Sequence, residues 1–362
     1  MKVALVGRFG ESDILSGPER VARELFWELK NKNIQIVFLE YFFSDYEGSS
    51  IFRKLFGKQY FNNQCIQRMG LFPLIFTILK EKFDIIHVVN GQRFILFLEL
   101  IKKLISGKIV TTFHGFILNE IPKTQYFKKR NFIEFWVEAF LVNNSEILIF
   151  PSKILYTTFN RHYEISNNKF KIIPNGISKI FHDENISFPR TYDPLKIVFY
   201  NGSNNSIDRG LAQLLQRIKN VKSNIDLFII GGMIDFNLNT KIKLRFVSLL
   251  TQKELINFLL DKHFIIKSNA FDTFSIMVGE CMSLGLIPIV HNKIGLIDFL
   301  ENNLNSFIYS DNSENELSNL IDEIGQGIYD LGMISINAKR IYEQLNWSNI
   351  TDKYVDAYRS VI

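Results

Sequence analysis

The chain has 362 residues, 47% of them hydrophobic and 22% charged, with a formal net charge of +5. That length favours two domains, and the composition is that of a globular protein able to bury sizeable cores, which excludes a disordered or fibrous chain. The mild basicity permits an anionic ligand or a membrane surface and specifies neither.

The opening MKVALVG has one lysine and a short apolar run. It reads as a strand over 3–6 rather than a leader. A polar loop from Gly7 to Gly17 follows, then a helix over 18–31 with Pro18 in its first turn, where a missing N–H costs nothing. Val21, Ala22, Leu25 and Leu29 share one face at helical spacing. A strand over 34–39 completes a strand–loop–helix–strand order, the mark of a parallel, doubly wound unit. Residues 40–70 mix aromatic and basic residues without a clear period. Strands over 84–89, 108–113, 146–151 and 171–174 then alternate with helices over 74–82, 94–104, about 130–142 and 154–162. Cys65 and Cys281 form no metal-ligand spacing and read as thiols of a reducing cytosol.

Residues 178–194 are polar, carry Pro189 and Pro194, and read as an inter-domain linker. A second series begins beyond them: strand 196–200, helix 209–218, strands 226–230 and 244–249, helix 252–260 and strand 263–267. The stretch KSNAFDTFSIMVGECMSLGLIPIV, 267–290, places Asp272 and Glu280 with seven residues between them across a loop that turns into a helix. Further on come a helix over 297–301, a strand over 307–309, helices over 314–328 and 333–345, and a last helix over 351–360. The expected domains are 1–177 and 195–346, with 347–362 completing the first. No run approaches the ~18 apolar residues needed to span a bilayer.

Several places could carry chemistry. The N-terminus of a helix after Asp272 is a ready anion site; Thr273 or Ser275 could cap it. His114, in TTFHGF, stands at a strand's carboxyl end, the side on which such sheets bind ligands. His87 sits inside DIIHVV and reads as a core residue, while His162, His182, His263 and His291 form no metal-like cluster with acids, so no metal is expected. The first loop lacks the Gly-x-Gly-x-x-Gly spacing of a dinucleotide site. From Lys123 to Phe140, cations at 128–130 are interleaved with aromatics. That pattern suits a peripheral membrane contact, or simply a helix that buries aromatics and solvates its basic end. No nucleic-acid motif accompanies it.

The segment from Lys267 to Val290 resembles the donor-binding motif of the retaining GT-B glycosyltransferases of family 4. Asp272 stands where the first of two glutamates is usual. FYNGSNNSIDRGLAQLL, 199–215, resembles that family's strand, Gly-Arg turn and Lys-Gly pattern. Gly202 fits, Arg209-Gly210 replaces Lys-Gly with one extra loop residue, and Ser203 stands in the arginine's place. Gly17-Pro18-Glu19 resembles the family's first glycine turn, and WSNITDKYVDAYRSVI its terminal helix.

The resemblance implies an α/β GT-B fold: two Rossmann-like parallel-sheet domains facing a central cleft, with the C-terminal helix crossing back to the first. It implies that Gly202, Arg209, the N–H groups of Phe274, Ser275 and Ile276, and Glu280 hold a nucleotide sugar. Gly17 lies in the acceptor or phosphate loop, and His114 and Asp272 orient the transferred sugar. The activity implied is retaining, metal-independent transfer without a cofactor, from a UDP- or GDP-linked donor to a glycan or lipid-linked acceptor of surface polysaccharide or glycolipid synthesis. The setting implied is cytoplasmic, with peripheral contact at the inner membrane face. The departures at Asp272 and Ser203 leave open a degenerate, non-catalytic partner subunit. A sugar-nucleotide epimerase of the same fold is a third reading.

Overall fold

The structure, a computed structural model, describes residues 1–10, 16–42, 50–62, 65–89, 95–120, 129–184, 192–202, 210–232, 240–268 and 271–362, without the side chains of 97, 99, 100, 119, 120 and 129–131. It divides into two compact units, Met1–Asn175 with Trp347–Ile362, and Gly176–Asn346.

In the first unit, β1 (Lys2–Val6), α1 (Gly17–Asn31) and β2 (Gln35–Tyr41) form the opening βαβ step. Residues 40–70, without a readable period, hold α2 (Ile51–Phe56) and an antiparallel pair, β3 (Lys58–Phe61) and β4 (Ile66–Met69). Next come α3 (Leu71–Lys80), β5 (Ile85–Val88), α4 (Leu96–Ile101), β6 (Lys108–Thr112), α5 (Ile117–Glu120), α6 (Lys129–Asn144), β7 (Ile147–Phe150), α7 (Lys153–Tyr163) and β8 (Phe170–Ile172). The sheet order is β3-β4-β2-β1-β5-β6-β7-β8. Strand order reverses between β1 and β5, which makes their carboxyl ends the natural place for a ligand.

The second unit contains β9 (Leu195–Gly202), α8 (Leu211–Ile218), β10 (Ile225–Gly231), β11 (Ile242–Val247), α9 (Gln252–Leu259), β12 (Phe264–Lys267), α10 (Ile276–Leu284), β13 (Ile287–His291), β14 (Phe307–Tyr309), α11 (Glu316–Gly325), α12 (Leu331–Lys339) and α13 (Ile341–Leu345). Its sheet runs β11-β10-β9-β12-β13-β14. The pairings are parallel, and the order reverses between β9 and β12. Strands such as FIIK are buried along their whole length, as a sheet covered on both faces requires. Phe199, Leu215, Leu227, Phe264 and Phe307 meet in its core.

Three expectations need correction. Residues 178–184 are packed into the second unit rather than forming a linker: a 3-10 turn over Lys179–Phe181 buries Phe181, the His182 ring stacks on Tyr342 at 4.1 Å, and Lys339 Nζ donates to the Glu184 carbonyl. The helix expected over 297–301 is a 3-10 turn at Gly295–Phe299. The helix expected over 333–345 is two helices, α12 and α13, meeting at Arg340.

The tail forms α14 (Trp347–Arg359) and belongs to the first unit, where it packs on α1. Lys32 Nζ pairs with Asp352 at 2.7 Å. The tail's Tyr358 hydroxyl lies 2.7 Å from Nδ1 of the fully buried His87, whose Nε2 meets Thr112 Oγ1 at 2.8 Å. Among the described residues no helix is long and apolar enough to cross a membrane.

Candidate active site

The carboxyl edge of the second sheet gathers most of the residues singled out in the sequence. β9 ends at Gly202, in the left-handed region at φ 80°, and β10 ends at Gly231, φ 103°. The register slips between Ile230 and Gly231, and a Cβ on Gly231 would overlap the Gly202 carbonyl. Two glycines are therefore required for the close approach of these strand ends, whatever else Gly202 does. Arg209 and Ser203 lie outside the described residues.

Beside β9, β12 ends at Lys267. Its ammonium pairs with Asp272 Oδ2 at 2.9 Å, with side-chain exposures of 11% and 19%. The other oxygen, Oδ1, accepts from the Phe274 N–H at 3.0 Å. The Gly295 N–H donates to the Asp272 carbonyl at 2.8 Å, tying this turn to the loop after β13. Burial alone would raise the Asp272 carboxyl, but the Lys267 charge, its hydrogen bond and that of Phe274 together hold it below its ordinary range. Asp272 is thus an ionised anchor of its own loop. Of the three amides expected to face an anion, that of Phe274 is already committed.

The chain enters α10 through Ser275, a non-glycine residue at φ 67° and 56° in ψ. Such a conformation costs on the order of 1 kcal/mol or more and persists only where its surroundings enforce it. The Ser275 side chain does not cap the helix; its buried hydroxyl lies against the Asp272 carboxylate and helps to hold that group ionised. The Ser275 carbonyl accepts from Val278 at 3.0 Å, so the Ile276 and Met277 amides precede the first intrahelical donor. These donors and the positive end of the helix are groups that can accept an anion. Glu280 follows one turn later, 1% exposed, in a helix buried from Val278 to Leu284. Gly285, φ 109°, closes it, and Leu286 N–H returns to the Cys281 carbonyl.

Two cations at this edge escape a reading of the motif. One is Lys267. The other is Arg217 on α8, which donates to the Ser268 carbonyl at 3.0 Å and pairs with Asp311 at 2.5 Å; Asp311 also meets His291 Nε2 at 3.1 Å. This network joins the ends of β12, β13 and β14. Lys267 carries a local signal, a lone charge ending an apolar strand; Arg217 carries none.

In the first unit, His114 follows the end of β6. Burial pushes its imidazole down to about 4, partly offset by a hydrogen bond to the Val89 backbone at the end of β5. The ring is neutral near pH 7, and its Nε2 is buried without a partner among the described residues. Bonded to Val89 through the other nitrogen, the ring presents Nε2 as an acceptor suited to a hydroxyl. Gly17 opens α1 with an ordinary backbone; the left-handed glycine of that loop is Gly10, φ 77°. Glu19, beside it, is occupied by Arg8 at 2.8 Å and by the Ser16 N–H at 2.8 Å. Glu40, fully buried and paired with Arg68 at 3.0 Å, accepts from the Phe9 N–H at 2.8 Å and fixes the loop's start. Among the described residues, no group of three or more His, Cys, Asp or Glu is placed to hold a metal.

Comparison with known proteins bears on the fold and the family. No curated protein matches the sequence. Among solved structures, sucrose-phosphate synthase from Thermosynechococcus elongatus superposes with a TM-score of 0.74 at 14% identity, over 99% of this chain and 98% of its own. A glycosyltransferase from Rickettsia africae gives 0.70 at 16%, over 99% and 98%. Anabaena HepE in complex with UDP-glucose gives 0.70 at 14%, over 99% and 100%. At such identities the likeness speaks to fold alone. The sequence itself matches the family model Glycosyltransferase Family 4 over residues 15–179 and Glycosyl transferases group 1 over 184–327. With both models matched in succession along one chain and a GT-B fold in each comparison, this protein belongs to glycosyltransferase family 4.

Proposed function

We propose that this glycosyltransferase takes a sugar from a UDP- or GDP-linked donor and transfers it, with retention of anomeric configuration, to a glycan or lipid-linked acceptor. The observation that carries the donor half is the left-handed Ser275, which aims the first amides of α10 at the carboxyl edge beside the β9/β12 reversal. A diphosphate seated there meets helix N–H groups, and Arg209 is the cation assigned to it. Glu280 is assigned to the ribose hydroxyls, and the neutral His114 to a hydroxyl of the transferred sugar. Asp272 serves that sugar through the loop it anchors. The bond from the sugar's anomeric carbon to the diphosphate breaks as the acceptor oxygen attacks from the same face. The departing phosphate oxygen takes the acceptor proton, so no side-chain base is needed. Preorganised donors aimed at the leaving group are the main catalytic term. That Anabaena HepE, a protein of similar fold, forms complexes with UDP and UDP-glucose supports a nucleotide-sugar donor.

A second reading, a binding subunit without transferase activity, is favoured by one observation: both carboxylate oxygens of Asp272 are engaged within the protein. A thermal-shift titration with UDP, GDP and their sugars, followed by a donor-turnover assay, separates the two. Transfer requires stabilisation that grows with ligand excess and product that disappears in Glu280→Ala with the fold intact. Binding without turnover or hydrolysis selects the second reading, and no response to any nucleotide removes both.

A further inference from the structure

The outer face of α2 and α3 carries aromatic residues that the fold does not use. No residue of α2 is buried. α3 buries Leu71, Pro73, Leu74 and Ile78 and turns Phe72 and Phe76 outward. Ile51, Phe52, Phe56, Phe72 and Phe76 are each between 50% and 79% exposed. They are contiguous: Phe52 and Phe56 rings lie 5.2 Å apart, and Phe56 stacks on Phe72 at 5.1 Å, joining the two helices. Exposed patches of this kind mark interaction surfaces.

The charge within the patch is positive. From Ser50 to Lys80 the sequence holds Arg53, Lys54, Lys58, Arg68 and Lys80 and no acidic residue; of the acids that flank it, Asp45 and Glu47 lie outside the described residues and Glu81 is paired with Lys2 at 2.7 Å. Arg68 is turned inward to Glu40, whereas Lys80 lies over the Phe76 ring at 5.9 Å and Lys58 is exposed at the start of β3. We propose that the α2–α3 face is a membrane-docking surface for anionic bilayers. The four phenylalanines insert at the headgroup–acyl boundary while Lys54, Lys58 and Lys80 meet anionic headgroups. The assignment is independent of the donor reading. It also moves the membrane contact away from 123–140, of which residues 123–128 lie outside the described ones. α6 exposes Phe132 and Trp136, but it joins β6 to β7, away from the β3–β4 edge of the sheet.

The test is co-sedimentation of the full chain with vesicles of phosphatidylcholine alone or with about one-third phosphatidylglycerol. Binding to the anionic vesicles that weakens with salt is expected. Phe52→Ser with Phe76→Ser should lower the partition coefficient by about tenfold or more. Lys54→Gln with Lys58→Gln, which removes no aromatic, should weaken binding to anionic vesicles only. Phe132→Ser with Trp136→Ser should change it little. Circular dichroism and light scattering accompany each variant. Unchanged binding by the α2–α3 variants, loss confined to the α6 variant, or a dimer that dissociates on Phe→Ser substitution while no vesicle is bound would each overturn the proposal.

Discussion

Asp272→Asn is the substitution that most directly tests how the donor loop is held. It preserves the side chain's shape and leaves an oxygen for the Phe274 N–H, but it removes the charge that Lys267 faces at 2.9 Å. The ammonium then remains in a site where its side chain is 11% exposed. Removing one partner of a fully buried pair costs about 3–5 kcal/mol, and losing a hydrogen bond to a charged group about 1.5–3. Asp272 is 19% exposed, so water recovers part of the loss, and about 2–3 kcal/mol is expected. At roughly 2–4 °C per kcal/mol, the melting temperature of the second unit should fall by about 4–12 °C. Urea unfolding followed by circular dichroism measures the difference, and Lys267→Met completes a double-mutant cycle with a coupling of about 1.5 kcal/mol or more. The pH dependence has a defined sign. The folded carboxyl titrates below its ordinary value, so its stabilisation is complete above the unfolded pKa of about 3.9 and is lost as pH falls through the folded one. The gap between wild type and variant should therefore close in acid. A loss below about 0.5 kcal/mol at neutral pH, or a gap that persists in strong acid, would refute the view that this pair holds the loop.

Other outcomes follow from the same contacts. Tyr358→Phe strips the partner from Nδ1 of fully buried His87 and should cost about 1–3 kcal/mol in urea unfolding, with little effect on nucleotide binding by the second unit. Burial holds His87 down at about 3 and His114 at about 4. Their stabilisation is complete above the unfolded pKa of about 6.5 and is lost as pH falls toward the folded values, by up to about 1.4 kcal/mol per pH unit for each. Denaturation at pH values between 7 and 4 measures that slope, and a flat profile contradicts the burial. Gly231→Ala forces a side chain against the Gly202 carbonyl at positive φ and should destabilise the second unit by roughly 3 kcal/mol; a neutral result in thermal melts would show that the strand ends can separate.

The alternation of strands and helices is legible because parallel strands buried on both faces, such as ILIF, are unbroken apolar runs between 3.6-residue patterns. Residues 40–70 resist reading for the opposite reason: α2 buries nothing, and β3 lies at the sheet's edge, so neither carries a period imposed by a core. Within the site, the position of Glu280 on a buried helix follows from its flanking apolar residues. The capture of the Phe274 amide by Asp272 was also available, since Asp commonly bonds the backbone two residues on. The Arg217–Asp311 pair was not, because 94 residues separate its members and only the sheet order brings them together. Tyr354 and Tyr358 announce a helical face, but nothing local names His87 as the group that face covers.

The return of α14 to the first unit also sets a schedule for synthesis. When the ribosome has made Asn175, the first sheet is complete except that His87 lacks its Tyr358 partner and α1 lacks the helix that packs on it. The remaining residues to Trp347, at about 5–20 residues per second, take roughly 10–35 s. For that interval the nascent first unit exposes an apolar seam and a buried-to-be imidazole. Its final closure waits until α14 has emerged from the ribosome.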